Sequence, residues 1–241
     1  MVSRASLAII AVLSVPVAAQ TTHSVTTFAT TFVPDTLVID AGDTVDWMWT
    51  GGTHTATEGL GPFPTGDEAF NGVLGASNPL VTVMFSNKFL FENPRTDHVY
   101  DYYCTPHFVQ NQKGVITVSS PWENLGFDKS GTSGSPLLWG DGPLTDGSLN
   151  ILTLENGFPN TTAILFVGLT AGNVPFKGGT LAPFPPLVQV GLGTDVTGTM
   201  VLPFLMPSGL SGVELFFQYG LSDPGATLGV SLSNAASAKG Q

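Results

Sequence analysis

Tyr100-Asp101-Tyr102-Tyr103-Cys104-Thr105-Pro106-His107, continued by Phe108-Val109-Gln110-Asn111-Gln112-Lys113-Gly114, is the stretch on which the reading turns. The run from Val99 to Tyr103 is β-prone and delivers Cys104 at its end. Pro106 then turns the chain and brings the His107 imidazole back beside the thiol. Upstream, His54 leaves a second β-prone run within Gly51-Gly52-Thr53-His54-Thr55. One thiolate and two imidazoles make the trigonal set that copper accepts in electron-transfer sites, completed by a weak axial fourth ligand. Cys104 is the single cysteine of the 241 residues, so the chain has no intramolecular disulfide. A lone thiol is a liability in an oxidising compartment unless burial or a metal protects it.

Around this stretch, residues 20–119 predict an all-β unit. Thr44 to Trp49 alternates, with Val45, Trp47 and Trp49 on one face, and Leu80–Phe85 and Val115–Val118 are further short strands. No segment shows a capped helix with sustained periodicity, and Ala56 to Asn78 is expected to form a long irregular loop. Residues 120–241 predict a second unit, entered through the Gly/Ser-rich segment 129–136. Its strands are expected at 149–154, 163–167, 187–190, 199–202, 213–219 and 227–232. In the fifth of these Val213, Leu215, Phe217 and Tyr219 alternate against Glu214 and Gln218, with Phe216 as the exception. This pattern points to a β-sandwich or jelly-roll-like domain.

Composition excludes several classes. Seven Lys+Arg against 18 Asp+Glu give a net charge of −11, which leaves no basic surface for nucleic acid. Arg4, the apolar run Leu7 to Val15, the break at Pro16 and the small residues Val17-Ala18-Ala19 read as a secretory leader cleaved after Ala19. That run is short of the about 20 residues that span a membrane. The mature protein is therefore expected to be exported: periplasmic, cell-surface or extracellular.

The chain resembles the plastocyanin/azurin-like cupredoxin family over roughly Phe32 to Val118. The resemblance rests on the run Phe32 through Trp47 (Phe-x-Pro-x-x-Leu-x-Ile-x-x-Gly-Asp-x-Val-x-Trp), on His54-Thr55, on Tyr100-x-Tyr102-Tyr103-Cys104, on Cys104-x-x-His107 and on Lys113-Gly114-x-Ile116. It implies a Greek-key β-sandwich that holds one type 1 copper and passes single electrons, rather than an enzyme. His54, Cys104 and His107 are then the metal ligands. Members of the family usually carry methionine five residues after the second histidine, where this chain has Gln112. Gln112 is expected to bind axially through its side-chain oxygen, as in stellacyanin-like members, and to lower the reduction potential. Its competing reading is a side chain turned to solvent. Met48 and Met84 do not fit the axial spacing, and His23 (at a frayed edge) and His98 (surface or strand edge) receive no site role.

Four histidines, two already committed, cannot build the clusters of a multicopper oxidase or a copper nitrite reductase. Gly131-Thr132-Ser133-Gly134-Ser135 loosely suggests a hydrolase elbow, but residues 120–241 contain no histidine to partner it. One Cys, two His and a glutamine are a poor closed zinc set. The second unit weakly resembles β-rich C-terminal modules of exported bacterial proteins, through Gly131-x-x-Gly134-x-Pro136 and Asp223-Pro224 with Ser231-Leu232-Ser233-Asn234-Ala235. That implies docking to the envelope or a partner, against a plain stabilising sandwich. Acidity in both halves, including Asp40, Asp43 and Asp46, points to a basic redox partner by electrostatic steering. The alternative function is a non-redox copper-binding or cell-surface interaction protein.

Overall fold

The structure, a computed structural model, describes residues 20–241. The leader expected at 1–19 lies outside the described residues. Nine strands precede Ser120: β1 (Thr22–Phe28), β2 (Thr31–Val33), β3 (Thr36–Asp40), β4 (Thr44–Met48), β5 (His54–Glu58), β6 (Asn71–Leu74), β7 (Leu80–Met84), β8 (Val99–Tyr103) and β9 (Lys113–Ser119). They form a four-stranded sheet in the order β2-β1-β4-β7 and a five-stranded sheet in the order β3-β9-β8-β5-β6. Pairing is antiparallel except for β1 with β4 and β3 with β9, which run parallel.

Alternation decides which side chains meet between these sheets. In β4, Val45 and Trp47 point inward and are fully buried; in β8, Tyr100 and Tyr102 do the same. Trp47 and Tyr102 interlock edge-on at 5.4 Å between ring centroids, and Phe32 of β2 lies 4.8 Å from Tyr102. Gly114 is glycine because Tyr102 and the backbone of Asp35 crowd it: a Cβ there would sit 2.3 Å from the Tyr102 ring.

The expectation of no capped helix is corrected. Asn87–Glu92 forms α1, and the Ser86 side chain accepts a hydrogen bond from the Phe89 N–H at 3.1 Å. Six residues are less than two turns, too few for a period to show in the sequence. The helix is held by burial of Leu90 and Phe91 rather than by its own propensity. The long loop is also shorter than expected: β5 and β6 occupy parts of 56–78, which leaves 59–70 irregular.

Eleven strands follow: β10 (Trp122–Gly126), β11 (Leu137–Asp141), β12 (Leu149–Glu155), β13 (Thr162–Gly168), β14 (Ala171–Phe176), β15 (Gly179–Pro183), β16 (Val188–Gly193), β17 (Met200–Leu205), β18 (Glu214–Ser222), β19 (Val230–Leu232) and β20 (Ala235–Lys239). One sheet runs β10-β20-β18-β13-β16, with β19 on β18, and a second runs β11-β12-β17. Trp122, Phe204 and Phe217 pack the two sheets together, with centroids 6.1 to 6.5 Å apart. The hairpin β14–β15 covers part of the other face, where Phe176 meets Phe166 at 5.7 Å.

That third layer corrects the two-faced reading of β18. Leu215 to Leu221 are all buried, Phe216 and Gln218 included. The Gln218 amide is satisfied internally: its oxygen accepts from the Ala182 N–H, and its nitrogen donates to the carbonyls of Thr180 and Ser233. Among the described residues, no hydrogen-bonded sheet contains strands from both sides of Ser120. The fold is all-β with packed sheets in both halves. No helix among the described residues is long and apolar enough to cross a membrane.

Candidate metal centre

Three backbone pieces meet at one end of the first pair of sheets. The loop after β4 turns through Gly51-Gly52 and is held there by the Trp49 indole N–H, which donates to the Gly52 carbonyl at 2.8 Å. It delivers His54 as the first residue of β5. β8 delivers Cys104, and a short helical turn at Phe108–Gln110 follows His107 and returns the chain to β9. The Cys104 N–H donates to the Gln112 carbonyl at 3.0 Å, which closes this ligand loop.

The structure brings His54, Cys104 and His107 together, with donor atoms all within 4.8 Å of one another. Cys104 Sγ lies 3.7 Å from His54 Nδ1 and 3.3 Å from His107 Nδ1. The two rings lie 4.7 Å apart between centroids, His54 buried and His107 partly exposed. Gln112 is fully buried, which removes the solvent-facing alternative. Its Oε1 sits 3.1 Å from His54 Nδ1, and its Nε2 donates to the Thr31 carbonyl at 3.0 Å.

Proton bookkeeping shows what these atoms want. His54 Nε2 lies 2.9 Å from the Gly51 carbonyl, an acceptor, so the ring proton is on Nε2 and Nδ1 carries a lone pair. Gln112 spends its N–H on Thr31, so its oxygen lone pairs also face inward. Two acceptors therefore face each other at 3.1 Å beside a sulfur, an arrangement that a cation satisfies and a hydrogen bond does not. Burial pushes the Cys104 thiol up, while hydrogen bonds from Thr55 and His107 oppose that rise. A soft sulfur with two imidazoles and an amide oxygen fits copper better than zinc or a hard cation.

Sequence reasoning missed the groups that hold the ligands. The Thr55 N–H points at Cys104 Sγ at 3.4 Å, and the Thr55 hydroxyl accepts from the Thr105 N–H at 2.9 Å. Both threonines directly follow a metal-ligand candidate, and that adjacency was the available signal. His23 is not at a frayed edge: it lies in β1 and bonds the buried Asp43 carboxylate at 2.8 Å. Asp43 is thereby removed from the expected acidic surface. His98 is half-buried and burial lowers its pKa; it takes no part in the site. Met48 and Met84 are exposed on β4 and β7.

Residues 19–119 match the family described as copper binding proteins, plastocyanin/azurin family. A search of curated proteins finds no match. Among solved structures, oxidised plastocyanin from Dryopteris crassirhizoma is 24% identical, covers 40% of this chain and 100% of its own, and superposes with a TM-score of 0.31. Pseudoazurin from Methylobacterium extorquens AM1 is 19% identical, covering 41% of this chain and 76% of its own, with a TM-score of 0.31. Pseudoazurin from Hyphomicrobium denitrificans is 21% identical over 41% and 76%, with a TM-score of 0.30. The match of residues 19–119 to the plastocyanin/azurin family of copper binding proteins, together with the His54, Cys104 and His107 cluster, supports copper as the cofactor.

Proposed function

We propose that the protein is an exported type 1 copper protein that carries single electrons by outer-sphere transfer. In this reading a leader at 1–19 precedes a copper domain at 20–119 and a β-sandwich domain at 120–241. The observation that supports it most is the convergence of ligand atoms: the lone pairs of His54 Nδ1 and Gln112 Oε1 face each other beside Cys104 Sγ, and the thiol proton is the one that metal binding would displace. His54, Cys104 and His107 would hold one copper, with Gln112 Oε1 as a fourth donor. When bound, the metal supplies a reversible one-electron couple with little change in ligand geometry.

The chain's own residues supply rigidity, insulation and access. His54 is fixed by Gly51 and Gln112 by Thr31, so neither ligand swings when the charge changes. Trp47, Tyr102 and Phe32 exclude water from below. His107 is the partly exposed ligand and so the port for electrons. Beside it lie Phe108, the 88%-exposed Val109, and the loop residues Leu60 and Phe63, both at least 75% exposed. Gly61 brings that loop onto Phe108; its φ of +71° and a would-be Cβ contact of 2.3 Å explain the glycine. This apolar patch suits brief docking of a redox partner. Asp40, Asp46, Asp67 and Glu68 around the domain favour a basic one.

The test adds Cu(II) to purified protein and records visible absorption and EPR spectra. An intense thiolate-to-copper band with narrow copper hyperfine splitting is expected, together with reversible reduction. A colourless complex that does not cycle would favour a copper-sequestering or surface-interaction role instead.

A further inference from the structure

We propose that β16 is a pairing interface between two copies of this chain, which join edge to edge and antiparallel about a two-fold axis at Gly191; the proposal is independent of the metal. Among the described residues β16 ends the sheet β10-β20-β18-β13-β16 and pairs on one side, with β13. Sheet edges are ordinarily blunted by shortness, proline, charge or a bulge. β10, at the other end of this sheet, carries Glu123 and a register shift between Asn124 and Gly126. β17 contains Pro203, and β2 is three residues long. β16, Val-Gln-Val-Gly-Leu-Gly, has six residues, no proline, no charge and an unbroken register with β13. Val188, Gln189, Val190, Gly191 and Gly193 are all exposed.

The backbone fixes how a second strand meets this edge. The Thr194 N–H donates to the Thr161 carbonyl at 3.0 Å, on the β13 side. In an antiparallel ladder every second residue turns the same way, so Leu192, Val190 and Val188 also turn their N–H and C=O groups to β13. Gln189, Gly191 and Gly193 turn theirs to the open edge. A two-fold axis that pairs these groups passes through Gly191, which faces its own counterpart, while Gln189 faces the counterpart of Gly193. Val190 and Leu192 share the opposite face of the strand and lie across from the counterparts of Leu192 and Val190, so two apolar cross-strand pairs form.

Charge selects the occupant. The chain carries a net charge of −11, so two copies repel each other wherever acidic surfaces meet. Residues 178–194 contain no Asp, Glu, Lys or Arg, and β16 lies within them. Leu187, Val188 and Val190 are 68%, 44% and 36% exposed and gain apolar cover in the pair. A basic partner is drawn to carboxylates and finds none in this stretch. A second copy finds its own complement there, because a two-fold contact joins a surface to itself.

The test follows the mass of the purified protein by sedimentation equilibrium over a concentration series, for the parent, Gly191→Ala, Gly191→Glu and Gly191→Lys. The strand has room for all three side chains: a Cβ at Gly191 would meet nothing within 4 Å, and its φ is not among the positive ones. The parent and Gly191→Ala should form dimers. Gly191→Glu sets two carboxylates against each other at the axis and Gly191→Lys two ammonium groups, so each should raise the dissociation constant by about tenfold or more. Mixing the Glu and Lys variants should restore the dimer, a result that misfolded variants cannot give. A parent that stays monomeric at every concentration overturns the proposal. So does a dimer as tight in Gly191→Glu as in the parent, which places the contact elsewhere, and so does a mixture no tighter than its two components.

Discussion

At His54 a single proton governs what the site accepts. The Gly51 carbonyl claims it on Nε2, and Nδ1 is left facing the Gln112 oxygen. Replacing that oxygen with a softer, weaker donor removes a stabiliser of the oxidised metal. Gln112→Met is therefore expected to keep the intense visible band and raise the reduction potential, measured by spectroelectrochemical titration. An unchanged potential would show that Gln112 does not ligate. The position of Gln112, five residues after His107, was legible in the sequence, because ligand-loop length is local. Its orientation was not. That depends on the Thr31 carbonyl, 81 residues earlier in the chain and placed by the pairing of β1 with β2.

At the scale of elements, the end of β5 and the loop that follows it are tied by one buried carboxylate. Glu58 receives the Arg95 guanidinium through two bonds of 2.8 Å and also accepts from the Ala69 N–H at 3.1 Å. Arg95→Met leaves that carboxylate buried and unpaired, so the urea midpoint should fall by the equivalent of about 3 kcal/mol. A midpoint equal to the parent's would mean that water replaces the guanidinium. A second tie holds the segment after β18. Burial acts to raise the Asp223 pKa, but hydrogen bonds from the Thr132 hydroxyl and N–H and from Gly225 outweigh it, and the carboxyl sits below its ordinary value. A depressed carboxylate contributes stability above its unfolded pKa of about 4, and loses it as pH falls through the lower folded value. Asp223→Asn should flatten that acid limb of the melting temperature, and parallel pH profiles for parent and variant would contradict this. Such ties join residues far apart in sequence, so only their anchors were visible beforehand. Strands with one wet face, such as β4, β8 and β9, were legible because their alternation survives. β18 was misread because a hairpin buries its second face, and α1 because six residues carry no period.

The two halves of the molecule meet through α1. Asn87 bonds Asp141 at 3.1 Å and receives the Ser120 hydroxyl at 2.7 Å, Asn124 caps the Phe91 carbonyl at 2.8 Å, and Lys88 pairs with Glu155 at 2.7 Å. Lys88 also lies 5.1 Å above the Trp139 ring. Leu90 and Phe91 are 1% and 2% exposed in this setting. Residues 20–119 expressed alone are therefore expected to melt at a lower temperature than the metal-free parent, since these apolar side chains then face water. Equal midpoints would show that the second half adds nothing to the first. Nothing local in 86–92 announces this contact, because its partners lie between 30 and 70 residues further on.

The blue copper site proposed for His54, Cys104 and His107, with Gln112, has a direct spectroscopic test. Cu(II)-loaded protein should show an intense thiolate-to-copper absorption with narrow EPR hyperfine splitting, both abolished in Cys104→Ser. A parent that binds copper without that band, or a Cys104→Ser variant that keeps it, would contradict the account.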